Sequence, residues 1–168
     1  MEQQQRIYPI GVQNFESLRK DGYVYIDKTA LIHQLVSSGR YYFLSRPRRF
    51  GKSLLISTLE AYFQGKRELF EGLAMEKLEK DWVTRPVLHL DLNIGKYDTP
   101  DSLDKILNDN IAQWENRYGT SPTESTLALR FAGVLRRAYE QTGERAAILI
   151  DEYDKPLLQA IGNHDLQR

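Results

Sequence analysis

Tyr41-Tyr42-Phe43-Leu44-Ser45-Arg46-Pro47-Arg48-Arg49-Phe50-Gly51-Lys52-Ser53 passes from an apolar run through a basic loop into Gly-Lys-Ser. The order predicts a buried strand at Tyr41–Ser45, a tight turn and then a helix, the layout of a phosphate-binding P-loop. The residue types suit a nucleoside triphosphate with a metal ion. Gly51 lacks a side chain, so its backbone can approach a phosphate oxygen. Lys52 can set an ammonium against the outer phosphates. The Ser53 hydroxyl can join a Mg shell. Amides at the start of the following helix lack intrahelical acceptors and favour an anion. The pattern departs from G-x-x-x-x-G-K-S/T at its first position, where Arg46 stands. Arg46, Arg48 and Arg49 add positive charge that either contacts phosphate or faces another partner.

A second motif lies further along. Ala146-Ala147-Ile148-Leu149-Ile150 closes on Asp151-Glu152. So short and apolar a run suits a fully buried parallel strand. Acids at its C-terminal end sit where open α/β sheets bind ligands. In a P-loop enzyme Asp151 would support Mg and Glu152 would orient or deprotonate the attacking water. A buried strand also ends in Asp-Glu simply because polar residues mark where it leaves the core.

The rest of the chain fills in an α/β reading. Met1–Arg6 is polar and expected to be loose. Asn14 caps a short helix over Phe15–Asp21. Tyr23–Ile26 reads as a strand or extended arm. Lys28–Ser38 reads as a helix capped by Asp27, with Leu31, Ile32, Leu35 and Val36 as its apolar stripe. Leu54–Gln64 follows the P-loop, and Gly65 stops it. Val87–Leu92 is a strand, and Asp91 near its end either faces the nucleotide or has a solvent-facing or loop-capping role. Asp101–Tyr118 is an amphipathic helix with Pro100 at its start and Gly119 at its end. Ser121-Pro122-Thr123-Glu124 reads as a capping box opening a helix toward Gln141. His33, His89 and His164 are scattered and suggest no metal cluster.

The 168 residues carry 23 basic and 23 acidic side chains, so no global charge favours nucleic acid. There is no cysteine, hence no disulfide and no thiolate zinc site. No long apolar stretch or signal peptide is evident, which leads us to expect a cytoplasmic protein that does not contact membrane.

At these motifs the sequence resembles the predicted AAA-ATPase-like family, a P-loop group related to the AAA and STAND nucleotidases. The likeness runs through Tyr8-Pro9-Ile10-Gly11-Val12-Gln13-Asn14-Phe15, Tyr25-Ile26-Asp27-Lys28-Thr29, Arg46–Leu54, Phe63-Gln64-Gly65-Lys66, Leu69-Phe70-Glu71-Gly72-Leu73 and Asp151-Glu152-Tyr153-Asp154-Lys155-Pro156. The resemblance makes the missing first Gly a family trait. It implies an α/β, P-loop NTPase-like fold with a mainly parallel sheet flanked by helices. An N-terminal arm and helix over 1–39 would pack on a partial core over 40–168 that stops before the sensor strand and lid.

It also implies ATP and Mg2+ as ligands. Arg46, Pro47, Arg48, Arg49, Phe50, Gly51, Lys52, Ser53 and Leu54 would hold the nucleotide. Ser53 and Asp151 would hold the metal, and Lys52 and Glu152 would act in hydrolysis. Tyr153 and Lys155 would shape the site. Such proteins often carry a C-terminal nuclease domain, which this sequence does not display. Two functions remain open: Mg-dependent ATP hydrolysis by the complete protein, or a non-hydrolysing, nucleotide-responsive module that regulates a nuclease, DNA contact or a partner. Exposed sheet edges would offer a route to oligomers.

Overall fold

The computed structural model describes residues 7–45, 47, 50–99 and 101–160. These fall into two units that divide between Thr84 and Arg85. The expected loose start, Pro100, Arg46, Arg48, Arg49 and His164 lie outside the described residues.

The first unit is helical. α1 (Phe15–Lys20) starts where predicted, with Asn14 Oδ1 accepting from the Ser17 amide at 3.0 Å. α2 (Thr29–Ser38), α3 (Lys52–Phe63), a 3₁₀ turn (Arg67–Phe70) and α4 (Ala74–Leu78) follow. Aromatic rings form the core. Phe15 and Phe70 are fully buried with centroids 4.9 Å apart, and Trp82 lies 5.2 Å from Phe70. Each of the two buried phenylalanines adds about 1.5–3 kcal/mol by leaving water.

Asp27 ties this core to the N-terminal segment. Its Oδ1 accepts from the Thr29 amide at 2.8 Å and the Thr29 hydroxyl at 2.7 Å. Its Oδ2 accepts from the Ala74 amide at 2.7 Å, and the buried Thr29 hydroxyl accepts from Met75 at 3.0 Å. One carboxylate thus joins the starts of α2 and α4. Burial pushes the Asp27 pKa up, but the hydrogen bonds from Thr29 and Ala74 outweigh it and hold the group below the usual range.

Of the two readings left open for Tyr23–Ile26 the strand is not formed; Val24 donates one backbone bond to Ile7 at 3.0 Å. Two expectations change in this unit. Leu31, placed on the apolar stripe of α2, is 64% exposed, whereas Ile32 is buried. Tyr41–Ser45 is neither a strand nor buried, and Tyr41 is 94% exposed. A strand needs a neighbour for its amides and carbonyls, and among the described residues the first unit contains no strand.

The second unit combines helix and sheet. β1 (Val87–Asp91) and β2 (Ala147–Asp151) pair in parallel, from Val87 opposite Ala147 to Asp91 opposite Asp151. α5 (Ser102–Tyr118) and α6 (Leu127–Thr142) lie between them in sequence, and α7 (Lys155–Ala160) follows β2. Parallel strands require such a long connection. Leu88 packs with Tyr118, Val134 and Ala138; Leu90, Leu92 and Tyr97 pack beside Leu103, Ile106 and Leu107. Helix and strand around a small parallel sheet are compatible with an α/β fold.

β2 is parallel as expected but not fully buried. Its residues alternate, with Leu149 and Asp151 buried and Ile148 and Ile150 about half exposed, the period-two pattern of a strand with unlike faces. The capping box also fails. α6 is capped by Thr126, whose hydroxyl accepts from Leu129 at 3.2 Å. Glu124 is drawn instead to Arg137 by two charge-assisted bonds of 2.6 and 3.0 Å. Gly133 makes room for that carboxylate: a Cβ there would lie 2.0 Å from Glu124 Oε1. Glu115, largely buried on α5, takes a second fork from Arg130 of α6 at 2.9 and 2.7 Å. Among the described residues no helix is long and apolar enough to cross a membrane.

Candidate functional site

α3 opens directly on Lys52 after Gly51, whose φ of 77° and ψ of 22° lie in the left-handed region. Glycine enters that region without steric cost. The first α-helical bond of α3 runs from the Leu55 amide to Gly51 at 2.9 Å. The amides of Lys52, Ser53 and Leu54 are therefore left without intrahelical acceptors. The Lys52 ammonium forms no ion pair, and the Ser53 hydroxyl no hydrogen bond, with any described residue. Both side chains are partly exposed, and Phe50 beside them is 66% exposed. The helix behind them is anchored. Thr58, Leu59 and Ala61 are buried, and Ser57 Oγ accepts from the Phe15 amide at 3.0 Å. Donors and one cation thus stand on a fixed helix start.

The acids occupy the C-terminal ends of β1 and β2. Asp151 is 9% exposed, and its Oδ1 accepts from the Glu152 amide at 2.9 Å. Glu152 has a φ of 53°, in the left-handed region that side chains other than glycine seldom adopt. Its carboxylate pairs with no described residue. Asp91, the register partner of Asp151, accepts from the Asn93 amide at 2.8 Å. This bond is the loop-capping role expected of Asp91. The Tyr97 hydroxyl donates to Leu92 O at 2.8 Å. Burial, and secondarily the Asp91 charge, pushes the Tyr97 phenol up. His89 sits half-buried within β1.

A family profile described as "Predicted AAA-ATPase" matches residues 9–168. The chain belongs to the predicted AAA-ATPase family. It is also 39% identical over 162 residues to the "Uncharacterized protein in vnfD 5'region" of Azotobacter chroococcum mcd 1. The match covers 95% of this chain and 31% of that relative, so the chain spans about a third of the relative's length. No solved structure matches it.

The candidate site residues form two groups. Gly51, Lys52, Ser53 and Leu54 stand together in the first unit, and Asp91, Asp151 and Glu152 in the second. The first group offers amides, a hydroxyl and an ammonium, which suit an anion. The second offers hard carboxylate oxygens, which suit a hydrated divalent cation. Among the described residues no group of three or more His, Cys, Asp or Glu side chains could hold a metal by itself.

Sequence reasoning missed Asn93 as a structural partner of this region. The Lys155 ammonium donates to the Asn93 backbone oxygen and, at 3.1 Å, to Asn93 Oδ1. The available signal was Asp91-Leu92-Asn93 directly after a strand, a spacing that favours an Asx-type turn.

Proposed function

We propose that this chain is the nucleotide-binding part of an ATPase, taking ATP with Mg2+ on a P-loop NTPase-like fold. The observation that carries the reading is the start of α3: a left-handed Gly51, three amides without intrahelical acceptors, and an ammonium and hydroxyl with no described partner. Membership of a family described as predicted AAA-ATPases agrees with it. The segment Arg46–Leu54 would enclose the phosphates, with Arg46, Arg48 and Arg49 adding charge. Lys52 would neutralise the charge that develops on the outer phosphates during transfer. Ser53 and Asp151 provide oxygen donors of the type that Mg2+ selects. When bound, the ion supplies charge neutralisation at the phosphates. Glu152 would orient the attacking water and accept its proton. Placement and electrostatics, not covalent chemistry, would supply the acceleration.

Calorimetric titration with Mg-ATP tests the binding half. Micromolar affinity corresponds to about −8 kcal/mol, and leaving a buried charge unpaired costs about 3–5 kcal/mol. Lys52→Ala is therefore expected to weaken ATP by about a hundredfold or more. Equal affinity in the variant removes Lys52 from the site.

A second reading follows from Arg46, which stands where the usual pattern has its first glycine. A loop so altered suits a module that binds nucleotide without turning it over and switches a nuclease domain, DNA contact or partner elsewhere in a longer protein. Phosphate release separates the readings. Steady Mg-dependent release that disappears in Glu152→Gln supports the enzyme; ATP binding with no release supports the switch.

A further inference from the structure

We propose that Lys155 is a positioning residue whose ammonium, anchored on Asn93, holds the turn after β2 so that Glu152 keeps its left-handed conformation. The inference rests on Glu152 as the water-orienting group for its functional meaning, but its structural part stands without that reading. Among the described residues two that are not glycine have positive φ, Trp82 and Glu152. The Trp82 ring packs against Tyr62 and Phe70, and these contacts account for its hold. Glu152 has no such anchor, because its carboxylate pairs with no described residue. Its backbone must be held by what surrounds it.

The surroundings form one connected set. The Glu152 amide donates to Asp151 Oδ1 at 2.9 Å, and its carbonyl accepts from the Lys155 amide at 3.0 Å. Lys155 then reaches the segment after β1 through both oxygens of Asn93. Asn93 is fixed in turn by Asp91, and Leu92 extends the ladder by donating to Asp151 O at 3.1 Å. Further along α7, Gln159 Oε1 accepts from the Tyr97 amide at 2.9 Å.

The direction of the lysine is informative. Asp151, Glu152 and Asp154 all lie within four residues of it. Yet Lys155 forms no ion pair with any described carboxylate. Its charge is spent on neutral oxygens of the neighbouring loop, which leaves Asp151 and Glu152 available to a cation or a water. A lysine placed only to neutralise those acids would occupy them.

Amide hydrogen exchange on the 168-residue chain tests this without nucleotide. Lys155→Met keeps the stem and removes the charge. It should speed exchange at the Glu152 and Lys155 amides by about tenfold or more while the melting temperature stays close to wild type. Lys155→Arg should restore part of the protection. In a Glu152→Gly background the turn needs no hold, so losing Lys155 should alter exchange at the Lys155 amide by less than about twofold. Unchanged exchange in Lys155→Met, or an equal effect in the glycine background, overturns the proposal. If Lys155→Met does not fold, Asn93→Ala removes one acceptor oxygen and asks the same question.

Phosphate release separates this proposal from the role given to Glu152. If Glu152 orients water, Lys155→Met should lower kcat by about tenfold with KM for ATP nearly unchanged. Faster exchange in Lys155→Met with release unaffected in both Lys155→Met and Glu152→Gln leaves the positioning intact and removes the catalytic role of Glu152. Release lost in Glu152→Gln, with exchange and release both normal in Lys155→Met, removes the positioning.

Discussion

Tyr41–Leu44 and Ala147–Ile150 are both short apolar runs that lead into residues suited to nucleotide chemistry, yet only the second is a strand. Tyr41 is 94% exposed and Phe43 73%, whereas Leu149 is 7% exposed and the backbone of β2 pairs with β1 along its whole length. Apolarity and β-propensity are equal to the task in both runs. They differ in strand pairing among the described residues. β2 has β1 in register, and β1 has α5 and α6 packed around Leu88 and Leu90. A strand is a property of a pair, and apolarity alone does not make one.

The sharpest way to break this contrast is to empty the support of β1. Leu88 is fully buried among Tyr118, Val134 and Ala138, so Leu88→Ala should cost about 2–5 kcal/mol by lost burial and a residual cavity. Denaturant unfolding followed by circular dichroism measures it. A cost below about 1 kcal/mol would mean that the strand pair does not depend on this packing.

A smaller effect is expected at the latch between α5 and α6. The Arg130 guanidinium holds the Glu115 carboxyl below the usual carboxylate range, against the opposing effect of burial. Because the folded pKa is depressed, the stabilisation is full above the unfolded value, about 4.3, and is lost as pH falls through the folded value. Arg130→Met should cost about 2–4 kcal/mol at pH 7, since it leaves a mostly buried carboxylate unpaired. The loss should shrink on acidification below pH 4, as Glu115 becomes neutral in both proteins. A pH-independent difference in stability would sink this account.

The smallest effect belongs to the run that forms no strand. Tyr41→Ser should change the stability of this chain by no more than about 0.5 kcal/mol. A loss near that of Leu88→Ala would show that Tyr41 makes a contact its exposure does not suggest.

Legibility followed the range of the interaction. Asn14 as a cap, α3 with Gly51 before it, and α5 ending at Gly119 could all be read because caps and helical periodicity act within a few residues. The Glu124 capping box was misread because Arg137, thirteen residues away, competes for the carboxylate. The left-handed Glu152 and its link through Lys155 to Asn93 were beyond reach for the same reason, since that contact spans 62 residues.

The amino-acid order alone determined the chemistry on offer: Gly-Lys-Ser opening a helix, and Asp-Glu closing an apolar run. Tertiary structure decided which apolar run became a strand, which carboxylates were taken by arginines, and which lysine clamps the turn beside the acids. Chemistry resides in side chains and can be read locally, whereas pairing and burial depend on neighbours that only the folded chain supplies.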